Sequence, residues 1–245
     1  MPIRNRGEII RLILEESGVP YEVEVVGYNE WKLGVKGTSP HGKCPVLRNF
    51  DGRGNDLCQE QSIMRFLASS LGLSGDTPAT VALVDSMHAL WFSTMRNNGV
   101  SHSGEHYSVE ALKASTHSEL SEAPPYEDML RVNDLTVAQR SFAALRFFEG
   151  ALERSGTAFL VGEGITYADL GLFYTLYELM EEDNVPDFAE RFGLPRLGEF
   201  VETVAARPRV AEFLRSETRM PRYGRAKDGS STYVFIPGRE SPVRI

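Results

Sequence analysis

The sequence predicts an α/β domain followed by an all-helical one, and three patterns carry that prediction. Between Arg6 and Ser17, Ile9, Leu12 and Ile13 share one helical face, Ile10 and Leu14 widen it, and Gly18 follows as a C-terminal cap. Tyr21, Val23 and Val25 alternate with Glu22 and Glu24, the period of a half-buried strand. After a linker rich in turn residues, Gly72-Leu73-Ser74-Gly75-Asp76-Thr77-Pro78, the periodic segments are all helical.

The stretch 41–68 completes the first domain. Pro45 stands directly before the apolar pair Val46-Leu47, which suits the first residue of a strand because proline cannot donate to a ladder. Asp51-Gly52-Arg53-Gly54-Asn55-Asp56 is a turn by composition, and Leu57-Cys58 follows it as a short strand. Ile63, Phe66 and Leu67 then take helical spacing. Residues 6–72 therefore read helix, strand, loop, strand, turn, strand, helix.

The second domain is read over residues 79–216. Val84, Met87, Trp91 and Met95 form a helical stripe flanked by Leu83 and Leu90, a pattern of core packing. Residues 101–133, with Pro124-Pro125 among them, are read as part helix and part loop. Phe142, Leu145, Phe148 and Leu152 mark the next helix, ended by Gly156. Thr166 and Asp169 have capping-box spacing, and Ile165 and Leu170 stand at the two ends of a hydrophobic staple, so Asp169 is read as a cap and not as a catalytic acid. Phe173, Leu176, Tyr177 and Met180 continue that helix, another spans 197–206, and Arg207-Pro208 breaks it before a short last one from Val210 to Leu214. A tail over 217–245 completes the chain; from Arg215 onward it holds seven Lys/Arg against three Asp/Glu.

Composition bounds the function. The formal net charge is −8, which speaks against nucleic acid as a partner, because phosphate binding needs clustered Lys and Arg. The basic tail is accordingly expected to fold back on the acidic body. Two cysteines and no basic-then-apolar leader predict a reducing, cytoplasmic setting without a disulfide framework. No apolar run reaches the ~18 residues of a membrane span, so no membrane partner is expected. His102 and His106 have i, i+4 spacing, but apart from Glu105 no matching carboxylate or Cys joins them, so metal is not expected.

Gly42-Lys43-Cys44-Pro45-Val46-Leu47, followed by Gln59-x-x-x-Ile63-x-Arg65-x-Leu67, resembles the glutathione site of the soluble glutathione transferases. The Thr166-x-x-Asp169 box and the Ala206-Arg207-Pro208 joint extend the resemblance to residue 216, most closely to the Pi, Mu, Alpha and Sigma branch. The resemblance implies an α/β N-terminal thioredoxin-like domain plus an all-α C-terminal helical domain. It implies glutathione conjugation: the thiolate attacks a small hydrophobic electrophile held against the helical domain, in a homodimer. Glutathione is then a co-substrate, and no cofactor is expected. The alternative is a non-catalytic binding or scaffold protein on the same fold.

By the same resemblance Arg6, Trp31, Lys36, Lys43, Cys44, Pro45, Gln59 and Glu60 fall at glutathione-contacting positions, with Cys44–Pro45 cis. Glutathione carries two carboxylates, an ammonium and a thiol, so its site needs cations, a backbone edge and a donor that stabilises the thiolate. Three departures stand out. Glu60 replaces a Ser that donates to the γ-glutamyl carboxylate, and as an anion it can only accept and repel. Ser93 stands where several classes supply an Asp from a neighbouring subunit, and the family's catalytic Tyr has no match, so the catalytic residue is left unknown. His41 occupies the place of an aromatic that some classes insert into the partner. The segment matching 1–6 follows the family's first strand, so a gap, or a foreign strand such as 233–236, is expected between Val23 and Val46.

Overall fold

The computed structural model describes residues 6–96, 137–180, 186–220, 233–234 and 243–244. Its contacts divide the chain into two units, one formed by Met1–Leu71 with the residues from Arg207 onward, the other by Gly72–Ala206.

In the first unit, α1 spans Arg6–Ser17 and buries Ile9, Leu12 and Ile13 almost completely, as its periodicity predicts. It ends at Gly18, whose φ of +69° only glycine adopts freely, and a Cβ there would lie 2.3 Å from the Arg209 guanidinium carbon. The chain then passes through α2 (Tyr28–Glu30), a π-helical turn (Trp31–Val35) and α3 (Lys36–Thr38). Strands β1 (Val46–Leu47) and β2 (Leu57–Cys58) pair antiparallel, with Val46 opposite Cys58 and Leu47 opposite Leu57. Their turn is closed by its own polar residues: Arg48 donates to Asp56 at 2.6 Å and Asn55 to Asp51 at 2.6 Å. Helix α4 (Glu60–Leu71) lays Ile63, Met64, Leu67 and Ala68 against α1.

One expectation is corrected here. Residues 20–27 form no strand, and Val23 is 48% exposed. Strand β1 pairs with β2 alone among the described residues, while Glu22 to Glu24, Val26 and Val46 to Arg48 line a cavity of ≈ 430 Å³ together with Ile10, Leu14 and Ile63. No ladder joins the segment around Val23 to β1 among the described residues. Tyr233 and Val234 pair with neither: they make β3 (Tyr233–Val234) and pair with β4 (Val243–Arg244). By contacts the last helix groups with the first unit. Helix α10 (Pro208–Arg215; α5–α9 follow below) packs on α1, where Arg207 Nε donates to Glu16 at 2.9 Å, Arg209 donates to the Glu16 carbonyl at 3.2 Å, and Arg11 lies over the Phe213 ring at 6.0 Å. Beyond it, Arg219 and Met220 stay with the first unit; the rest of the tail apart from β3 and β4 lies outside the described residues.

In the second unit α5 (Pro78–Trp91) starts on a capping box between Thr77 and Thr80, with Pro78 at a position where a missing N–H costs nothing. The linker is tied in by the Tyr167 N–H, which donates to the Leu73 carbonyl at 3.0 Å. A second π-helical turn (Phe92–Arg96) extends α5 and buries Met95. The buried stripe runs Val84, His88, Trp91 and Met95, with Met87 at its margin and Leu83 53% exposed, so the predicted face is rotated by about one residue. Helix α6 (Val137–Ser155) buries Leu145, Phe148 and Leu152, and α7 (Tyr167–Met180) is buried almost all round. Trp91 joins α5 to α7: its Nε1 donates to Thr175 at 2.9 Å, and its ring rests on Gly171, where a Cβ would come within 3.0 Å. Short α8 (Phe188–Phe192) leads to α9 (Pro195–Ala205), which buries Leu197, Phe200, Val201 and Val204. Two free N–H groups at the start of α9, those of Arg196 and Leu197, both donate at 2.8 Å to Glu149 of α6.

Candidate functional site

The cavity of the first unit gathers residues from every part of that unit. Arg6, Gly7, Ile10 and Leu14 come from α1, Trp31 and Val35 from the π turn, Cys44 to Arg48 from the head of β1, and Met220 from beyond α10. At ≈ 430 Å³ it lies in the range of small-ligand pockets. Leu14, Val23, Val26 and Val46 supply apolar lining, and Arg6, Trp31 and the Cys44–Pro45 peptide, which is cis as the resemblance implies, line it as well.

Of the eight residues singled out from the sequence, Arg6, Trp31, Cys44 and Pro45 line this cavity. Lys36 and Lys43 do not line it. They are exposed and lie along one short segment, where the Lys36 stem lies over Gly42, so a Cβ at Gly42 would sit 3.5 Å from its Cε. Gln59 is exposed and holds a φ of +78°, a left-handed conformation rare outside glycine, immediately before α4. Such backbone is retained where its surroundings over-determine it, and here the Gln59 carbonyl accepts from Ile63 N at 3.0 Å. Glu60 is buried to 2%, and its carboxylate lies 3.9 Å from Arg6 Nε. Its charge is thus directed at one of the anchors read from the sequence.

Ser39 was not legible as part of this site. Buried to 8%, it donates from Oγ to the Lys43 carbonyl at 2.5 Å and accepts from Lys43 N at 3.2 Å, closing the loop that presents Cys44. Nothing in the Ser39-Pro40 pair marks this role, because it depends on a carbonyl four residues away. Cys58 Sγ donates to the same carbonyl at 3.2 Å. Tyr21 also lines the cavity, but its hydroxyl donates to Glu15 at 2.6 Å; burial first, then that bond, raises its pKa far above the ordinary value, so it stays a phenol. Desolvation likewise raises the Cys44 thiol. Ser93, exposed, donates to the Leu90 carbonyl at 3.1 Å, and His41 is exposed. No cluster of three metal-ligating side chains occurs among the described residues; His102 and His106 lie outside them.

Residues 118–217 match a family model described as "Glutathione S-transferase, C-terminal domain". Over 223 residues the chain is 28% identical to glutathione S-transferase P 2 of the toad Bufo bufo, covering 90% of this chain and 92% of the relative. The crystal structure of the glutathione S-transferase of Ascaris lumbricoides superposes with a TM-score of 0.64 at 27% identity, covering 87% of this chain and 93% of that one. The chain is similar to the soluble glutathione S-transferase family over most of its length. Its fold is that family's, a thioredoxin-like α/β domain followed by a helical domain. A monomeric glutathione S-transferase from the hookworm Necator americanus superposes with a TM-score of 0.65 at 26% identity, over 87% of this chain and 93% of that one. No helix among the described residues is long and apolar enough to cross a membrane.

Proposed function

We propose that this chain is a glutathione transferase, and that glutathione enters the cavity of the first unit as co-substrate. The observation that supports this reading best is that Arg6, Trp31, Cys44 and Pro45 all line that one cavity, in a chain similar to this family over most of its length. The Cys44 backbone offers an N–H and a carbonyl to the peptide middle of the tripeptide. Lys36 and Lys43, on one exposed segment, supply positive charge for its carboxylates. A free thiol of pKa about 8.5 is mostly protonated at neutral pH, so conjugation requires that a donor or cation lower it. Arg6 is the cation nearest that task among the cavity's α1 residues once Arg11 is committed to Glu8, 3.0 Å away. Glutathione needs no metal or prosthetic group as partner in this chemistry. The thiolate displaces a leaving group from, or adds to, a small hydrophobic electrophile, as in detoxification. A cytoplasmic homodimer completes the reading, and sedimentation of the purified chain tests its assembly.

A second reading, a glutathione binder without turnover, is favoured by Glu60 lying against Arg6 and by Tyr21 being committed to Glu15. Retention on a glutathione resin followed by a conjugation assay with an aryl halide separates the two. Retention with turnover supports the transferase, retention alone the binder, and no retention refutes both.

Glu60 provides the sharper test of the site. Glu60→Ser removes a buried anion beside Arg6 and supplies a hydroxyl donor at the start of α4. Glutathione affinity should then rise by about 1 kcal/mol, five- to tenfold in Kd. Calorimetry that gives an unchanged or weaker Kd removes Glu60 from the site.

A further inference from the structure

Conjugation leaves the thiols of both cysteines unused, yet the fold brings them together. Cys58, buried to 3%, donates from Sγ to the Lys43 carbonyl at 3.2 Å and lies 3.8 Å from Ser39 Oγ. That carbonyl belongs to the peptide whose nitrogen is Cys44's own. Peptide geometry puts the Cys44 Cα ~2.8 Å from the same oxygen, so Cys58 Sγ and Cys44 Cα are at most about 6 Å apart. In the ladder Val46 opposes Cys58, which places Cys44, two residues earlier, on the diagonal, a position about 7–8 Å away in a regular sheet. Bridged cysteines need Cβ atoms roughly 3.5–4.5 Å apart, so closing the bond requires the exposed residues Lys43 and Cys44 to move toward β2. The two thiols also differ in access. Cys44 is exposed and lines the cavity, whereas Cys58 is enclosed behind it.

We propose that Cys44 and Cys58 form a thiol–disulfide exchange pair that takes glutathione disulfide as its oxidant. The Cys44 thiolate attacks one sulfur of glutathione disulfide, forming Cys44–S–S–glutathione and releasing one glutathione. Cys58 then attacks the Cys44 sulfur of that mixed disulfide, forming the Cys44–Cys58 bond and releasing the second. Two protein thiols are oxidised and one glutathione disulfide is reduced, and the two thiol protons leave on the two glutathiones. The bond ties the Cys44 edge to β2, so oxidation weakens binding of reduced glutathione and reduction restores it. The choice of oxidant, and this consequence, rest on the reading that the cavity takes glutathione.

The test incubates the full reduced chain with glutathione disulfide in mildly alkaline buffer, caps the remaining thiols and maps the peptides by mass spectrometry. The wild type should lose two hydrogens and yield one linked peptide pair containing Cys44 and Cys58, reversed by dithiothreitol. Cys58→Ser should accumulate a single glutathione adduct on Cys44. Cys44→Ser, changed at an exposed position, should react at least tenfold more slowly and form no linked pair. A wild-type chain that stops at the Cys44 adduct, or that is modified first at Cys58, overturns the proposal. So does an internal bond formed with hydrogen peroxide, run in parallel, but not with glutathione disulfide. Failure of the reduced chain to bind the glutathione resin, with the linked pair still formed, refutes the proposed function and leaves the exchange pair standing.

Discussion

Replacing Asp169 by Ala should cost ~3 kcal/mol or more of stability, measured by denaturant unfolding, with Asp169→Asn costing less. The side chain is fully buried at the start of α7 and accepts three hydrogen bonds: from Leu160 N at 2.8 Å, Thr166 N at 2.8 Å and Thr166 Oγ at 2.6 Å. Alanine leaves two buried backbone N–H groups without an acceptor, each worth about 1–3 kcal/mol. Asparagine keeps one acceptor oxygen but turns an NH₂ group toward one of those donors. The same side chain sets a pH signature. Burial lifts its pKa from 3.8 to about 6, against the pull of the three hydrogen bonds. Between these values the folded chain holds a proton that the unfolded chain has released. The stability that Asp169 contributes through this shift is therefore complete below pH about 4 and is lost as pH rises to about 6. A shift of about 2 units is worth ~3 kcal/mol, so the wild type should lose that much relative to Asp169→Asn across this window, other carboxylates cancelling in the difference. A constant difference between the two proteins from pH 4 to 7 would sink the assignment.

That carboxylate shows how far the sequence carried. The spacing of Thr166 and Asp169 announced a cap, and Asp169 does reach back to Thr166 N; the added bond to Leu160 and the diversion of the Thr166 hydroxyl onto Asp169 itself are tertiary. Local periodicity was enough for α1, α4 and α9, because each buries one apolar face whichever elements cover it. It failed for Tyr21 to Val25. Alternation reports which side chains would face a core, but a strand also needs a backbone beside it, and β1 pairs with β2 and not with this segment. For α10 the sequence reads as a continuation of the helical domain; its packing on α1, through Arg207 and Arg209 to Glu16, is tertiary and not legible in it. At the site the motif residues Cys44 and Pro45 were legible because neighbours in sequence share one cavity wall. Ser39, Met220 and the partnership of Glu60 with Arg6 were not, since each depends on residues that only folding brings near.

Glu8→Ala is expected to match Asp169→Ala in severity, at ~3–5 kcal/mol. In the sequence Glu8 looks like an ordinary acidic residue in the first turn of a helix, worth at most about 1 kcal/mol through the helix dipole. In the fold it is completely buried between two guanidinium groups: Arg219 Nε donates to its Oε1 at 2.7 Å, and Arg11 lies 3.0 Å from its Oε2. Both arginines are themselves buried, with side chains 6% and 8% exposed. Such a triad adds little against apolar residues of equal volume, but removing its shared anion leaves two desolvated cations facing each other, which is the costly step. The effect should reach beyond α1, because Arg219 lies on the segment that follows α10 and carries Met220 into the cavity wall. Limited proteolysis of Glu8→Ala should therefore cut after α10 faster than in the wild type. The triple change Glu8→Met, Arg11→Leu, Arg219→Met should regain most of the lost stability, since no charge is then left buried without its partner. A loss below about 1 kcal/mol in Glu8→Ala, or a triple variant less stable than the single one, would show that this carboxylate does not hold the C-terminal segment to α1.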